Sequence, residues 1–140
     1  MESALIAGSA VIRETATDLS AAIGKTVTFS AGVPSVSASA TVPVTGIVLD
    51  ARKRVVGSTT YNDNSILLLG SGEVVLGKIS ATATAISAGD ELQQAADGTF
   101  TNDAGSGARL ILAVAIKAAV AGDMVPLLVC KPIARGTITS

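Results

Sequence analysis

The chain has 140 residues, 49% of them hydrophobic and 15% charged, with a formal net charge of −1, no His, no Trp and one Cys. At this length a single domain with a core that needs no disulfide is the default, and without His neither a Ser-His-Asp nor a Cys-His arrangement can be assembled from one subunit. Charge stands well below the usual ~25%, so the apolar surface in excess must be covered by a membrane or by protein partners.

Residues 1–22 are poor in turn formers and weakly patterned, and read as an extended N-terminal arm that closes in a short helix over residues 18–23, with Asp18 as its cap. The beginning Met1-Glu2-Ser3 lacks the basic and apolar stretches of a secretory signal, so cytoplasmic synthesis is expected. From residue 23 to residue 140 no linker interrupts the sequence. Val36, Ala38, Ala40 and Val42 alternate with Ser37, Ser39 and Thr41, which predicts a half-exposed strand. A strand over residues 44–49 runs into a predicted turn at 50–54, and further turns are predicted at 61–65, 70–72, 88–90, 96–98 and 102–107. Residues 66–69 and 74–76 are continuously apolar and suit strands covered on both faces. Ala81, Ala83 and Ala85 alternate with Thr82 and Thr84 as a further strand, and Leu110, Leu112, Val114 and Ile116 share one face of the next. Residues 124–130 form the last strand, placed at a sheet edge because Pro126 lacks a ladder donor. Ala-Gly-Asp occurs at residues 88–90 and 121–123 and reads as two similar turns. Period-two patterning with turns every ~8–15 residues predicts an all-β fold, a compact small β-barrel or β-sandwich.

Candidate chemistry is sparse. Cys130 lies in an apolar strand beside Lys131, where a buried inert thiol is expected. The carboxylates Asp90, Glu91, Asp97 and Asp103 cluster in sequence, but the D-x-[DN]-x-[DN]-G calcium loop is absent and they read as solvated turn residues. Gly70-Ser71-Gly72 precedes a β-type run rather than a helix, so it matches neither phosphate-binding fingerprint. Arg52-Lys53-Arg54 is the one basic run, too narrow for nucleic-acid binding in a chain of pI 5.2. The longest apolar stretch, residues 110–122, is broken by Lys117 and falls short of the ~20 residues of a membrane helix. Phe29, Tyr61 and Phe100 are the only aromatics, too few for a stacking site. No catalytic residue, cofactor or metal is expected, nor a nucleic-acid or membrane partner. The expectation is a homo-oligomer that buries its apolar surface against protein.

The C-terminal half runs through Val74-Val75-Leu76-Gly77, Ile86-Ser87-Ala88-Gly89-Asp90-Glu91-Leu92, Ala96-Asp97-Gly98-Thr99-Phe100, Leu112-Ala113-Val114-Ala115-Ile116 and the stretch from Ala118 to Val129 with its second Ala-Gly-Asp. This order resembles the head decoration, or capsid cement, proteins of tailed bacteriophages, in which an AGD turn introduces a strand, a DG turn follows, and a second AGD turn leads into a closing apolar strand. Ala113-Val114-Ala115 stands where that family usually begins its penultimate strand with Gly. Asp18-Leu19-Ser20-Ala21-Ala22 and Val44-Thr45-Gly46-Ile47-Val48-Leu49 extend the resemblance over most of the chain.

The resemblance implies a compact, β-tulip-like β-rich body, most often a trimer, on the outer capsid surface of the virion, where it stabilises the shell by bridging major capsid proteins. It implies no catalytic residue. The family's arm contacts map to the N-terminal segment, where Leu5, Ile6, Val11, Ile12 and Arg13 are the candidate capsid contacts. The alternatives are another virion subunit, such as a head-fibre base or tail component, and a small β-barrel module that binds a peptide or glycan.

Overall fold

The structure, a computed structural model, describes residues 11–15, 17–70 and 72–136. Among these the fold is all-β, as the period-two patterning predicts, with ten strands: β1 (Val11–Glu14), β2 (Thr26–Ser30), β3 (Val33–Val36), β4 (Gly46–Val56), β5 (Thr59–Leu68), β6 (Val74–Lys78), β7 (Glu91–Gln94), β8 (Phe100–Asn102), β9 (Arg109–Ala115) and β10 (Met124–Arg135). They form two antiparallel five-stranded sheets, ordered β1-β5-β4-β2-β3 and β6-β10-β9-β7-β8. Numbered from its own first strand, each sheet has the order 1-5-4-2-3, so one topology occurs twice in tandem. The two Ala-Gly-Asp turns do not mark this duplication, because both lie in the second half.

The two sheets face each other across the main core. Ile47 of β4 and Leu67 of β5 meet Leu92, Phe100, Leu112, Leu127 and Val129 of the second sheet, all essentially inaccessible to water. Strand alternation sends Val48 and Ile66 to the opposite face. There the connection from β1 to β2 lays Leu19 and Ala22 over them and over Val27, building a second, smaller core on the outside of the first sheet. Ile12 packs against it.

This corrects the expected arm. From Val11 onward the chain belongs to the body: β1 pairs with β5 from Val11↔Leu67 to Glu14↔Asn64, and Leu19 and Ala22 are buried. Residues 18–23 form turns rather than a helix, with Asp18 Oδ1 accepting from the Ser20 amide at 3.0 Å and from its hydroxyl at 2.6 Å.

Other elements also shift. The turns expected at 50–54 and 61–65 are strand, because β4 and β5 continue past the core as a two-stranded ribbon, exposed from residue 52 to residue 61, and the reversal falls at Gly57-Ser58 between the paired Val56 and Thr59. Gly57, at φ 65°, takes the first position of this two-residue loop, where Gly is favoured. Pro126 is not on an edge strand, since β10 lies between β6 and β9. The Val129 amide donates to Glu73 O on the β6 side, so by alternation the Pro126 nitrogen faces β9, one residue past the last β9 pair, Leu127↔Ala115. Its missing donor falls where that ladder has already ended.

Two glycines join the sheets. Gly24 donates to Val48 O at 2.9 Å and accepts from the Lys78 amide at 2.9 Å, and Gly98 O accepts from the Thr26 amide at 2.8 Å and its hydroxyl at 3.1 Å. Gly98 has φ +82°, and a Cβ there would stand 2.7 Å from Val36 Cγ1 and 3.1 Å from Thr26 O. Gly98→Ala is therefore expected to lower stability by about 1–3 kcal/mol, read as an earlier denaturant midpoint with an unchanged slope. A shift within error would mean that the loop relaxes freely.

Candidate interaction surface

The carboxylates singled out in the sequence are committed to local structure. Asp90 Oδ2 accepts from the Ser87 amide at 2.8 Å and Asp123 Oδ2 from the Val120 amide at 3.0 Å, so the two Ala-Gly-Asp turns close in the same way. They are also joined to each other by reciprocal bonds between Ile86 and Ala119. Burial pushes the Asp97 carboxyl up, but the Thr99 hydroxyl and amide hold it below its ordinary range. Asp103 is held low by the Arg109 guanidinium, then by the Gly105 amide. Glu91 forms a bidentate pair with Arg135 at 2.5 and 3.0 Å. Gly89, Asp90, Glu91, Asn102 and Asp103 line an open cleft of about 430 Å3, yet among the described residues no three His, Cys, Asp or Glu side chains gather as a metal site would require.

Cys130 is half-buried, its Sγ 3.5 Å from Leu112 O. Burial, then the Glu91 charge, push its thiol up, away from the reactive thiolate. The basic run lies in β4, where each cation meets an aspartate: Arg52–Asp50 at 2.7 Å, Lys53–Asp18 at 2.8 Å and Arg54–Asp63 at 3.4 Å. Arg54 also stacks on Tyr61, 5.0 Å from the ring centroid. A basic triplet whose charges are met in this way has little field left to offer a phosphate backbone.

The described surface also carries exposed aliphatic side chains. The outward face of the first sheet is covered by Leu19 and Ala22, but the outward face of the second has no such cover among the described residues. Register places Val74, Leu128, Val114 and Glu91 in one row across β6, β10, β9 and β7, with Leu76 beside Pro126 in the next. Val74 is 58%, Leu76 56% and Leu128 41% exposed. These neighbouring aliphatics leave an apolar patch open to water on that face.

Of the candidate contacts, Ile12 is half-buried, packed on the chain's own second core. Val11 is exposed and lines a cleft between the sheets, Arg13 is exposed, and Leu5 and Ile6 lie outside the described residues. Sequence reading missed the β6–β10–β9 face. The signal for it was present in Val74-Val75-Leu76 and Leu127-Leu128-Val129, whose unbroken apolar character fits cover on both faces although the fold supplies it on one. No family model, curated protein or solved structure matches the chain.

Proposed function

We propose that this protein is a structural virion component that binds the outer surface of a phage capsid and stabilises it by bridging major capsid proteins. The observation that carries the reading is the uncovered aliphatic face of β6, β10 and β9, on a body whose cationic run and carboxylate cluster are engaged by its own side chains and backbone. The order of motifs shared with capsid cement proteins supplies the partner. A cement protein needs adhesive area, little net charge to repel neighbouring copies, and no chemistry. Several modest contacts on one assembly raise the effective concentration of each and make the whole hard to remove.

The test is incubation with undecorated phage heads, scored by co-sedimentation and by imaging of the particles. Wild-type protein is expected to give ordered density outside the shell. Leu128→Glu, at the middle of the apolar row, is expected to keep its circular dichroism spectrum and to bind about a hundredfold more weakly, as for a buried hot-spot side chain. Equal binding by this variant would remove the face from the proposal. Absence of wild-type density would remove the capsid.

A further inference from the structure

We propose that the exposed end of the β4–β5 ribbon joins copies of this chain head to tail, the outer edge of β4 in one copy pairing with the outer edge of β5 in the next, and that the ring closes at three. The proposal concerns how copies hold one another, and stands apart from the β6–β10–β9 face and what it binds.

Three observations meet on the ribbon. First, its edges are open. Among the described residues no strand pairs with the outer edge of β4 beyond Ile47, or with that of β5 before Asn64. In a two-residue hairpin the closing pair, Val56↔Thr59, exchanges both ladder bonds, so alternation turns the backbone groups of Lys53 and Val55, and of Thr60 and Asn62, outward. The next residues in that phase behave accordingly: Ala51 gives its amide to Asp50 Oδ1 at 3.0 Å, and Asn64 pairs with Glu14 of β1. Open edges of this kind are templates for further strand pairing. Second, the end of the ribbon carries aliphatic surface that its own body does not cover, with Val55 66% and Val56 54% exposed. A two-stranded ribbon alone in water is marginal, and a neighbour on each edge supplies the missing strands.

Third, charge selects the pairing. Between residues 51 and 63 the cations Arg52, Lys53 and Arg54 all stand on β4, and the one carboxylate, Asp63, stands on β5. Two-fold pairing of β4 with β4 would put six cations on one ladder, and β5 with β5 would bring two Asp63 side chains together. β4 against the next copy's β5 sets cations beside a carboxylate, as Arg54 and Asp63 already stand within one chain at 3.4 Å. Such strands run antiparallel, because β4 leads out to the hairpin and β5 returns from it.

An interface made from two different edges is head-to-tail and ends where its rotation closes. Three ribbons bring six strands round one axis. Val55 and Thr60 are cross-strand partners on one face, small enough for a narrow closed interior, while Arg54 stacked on Tyr61 takes the other face and stays in water. The expected species has the mass of three 13.8 kDa chains, the number that the order of motifs also implies.

The experiment measures the mass of the full chain in solution, without capsids, by sedimentation and light scattering over a micromolar range, for wild type, Thr60→Val and Thr60→Pro. Proline at residue 60 removes an outward amide and none of the ribbon's own ladder bonds, whereas valine keeps the amide. Wild type and Thr60→Val are expected as three-chain species. Thr60→Pro is expected to keep its circular dichroism spectrum and to dissociate about tenfold more readily, as for one net hydrogen bond lost per contact. Cross-linking identifies the neighbours: Val55→Cys chains co-expressed with Thr60→Cys chains and oxidised with copper phenanthroline are expected to link to each other, and neither kind to itself. Should Thr60→Pro fail to fold, this cross-link decides. A wild-type monomer, a two-chain mass, a folded Thr60→Pro that associates like wild type, or Val55→Cys chains that link to one another would overturn the proposal. Each of these outcomes is read without capsids, so it is distinct from a failure to bind phage heads.

Discussion

Asn64→Asp is expected to lower stability by about 3–5 kcal/mol at pH 7, the cost of leaving a buried charge without a counter-charge, and by far less near pH 4. Asn64 is 1% exposed on β5, and its Nδ2 donates to Thr17 O at 2.7 Å and to Glu14 Oε2 at 3.1 Å, tying β1 and the segment after it to the first sheet. Aspartate would set an acceptor-only group against a carbonyl and a carboxylate, and burial among acceptors raises its folded-state pKa above the ~3.9 of the unfolded chain. A raised pKa leaves stability intact below the unfolded value and removes it as pH rises toward and through the folded one. The wild type responds in the opposite sense. Asp97 and Asp103 are lowered in the fold, so their contribution is present above ~3.9 and fades as pH falls below it. Thermal unfolding of both proteins from pH 7 to pH 4 should therefore show two curves that converge on acidification. Parallel curves would mean that residue 64 reaches water.

Phe100→Ala is expected to lower stability by about 3–5 kcal/mol, a large share of the ~5–15 kcal/mol that holds a domain together. Phe100 is fully buried and its backbone bridges to Ile79. The ring lies over Gly77 so closely that a Cβ there would be 3.0 Å from Phe100 Cε2 and 2.5 Å from Leu127 Cδ1. In a chain with two Phe and no Trp, no comparable side chain is available to refill that volume. Urea unfolding measures the loss, and a change below about 1 kcal/mol would place the ring outside the core.

The strands that bury large aliphatics were legible in the sequence, because Ile47, Ile66, Leu67, Leu112 and Leu127 impose the patterning that strand faces require. Segments of small or polar residues misled it. Residues 36–42 alternate as a strand should, yet β3 ends at Val36, and Ser39 Oγ takes the amides of Thr41 and Val42 while Gln94 Nε2 clamps the carbonyls of Ser39 and Val42. Local hydroxyl bonds compete with a ladder when there is little to bury. Residues 81–85 fail for the same reason: Ser80 Oγ takes the Thr82 amide and Asn102 Oδ1 the Thr84 amide. The β4–β5 ribbon is the converse case, strand without periodicity, since residues 52–61 are all exposed. The candidate surface was half legible. Its aliphatics were read as strand, but which face the fold would leave open depends on where Leu19 and Ala22 come to rest, a tertiary choice that no local pattern encodes.

The tandem arrangement of the two sheets bears on how the chain is made. Residues 11–68 can complete the pairing of the first sheet, and its outer cover, before residues 74–135 have left the ribosome. Until then Ile47, Leu67 and Leu69 face no partner. At ~5–20 residues per second, the nascent chain carries half a sandwich with a bare greasy side for several seconds. That interval, rather than the finished protein, is when it most needs a chaperone, and rapid synthesis at high concentration would make it the step at which yield is lost.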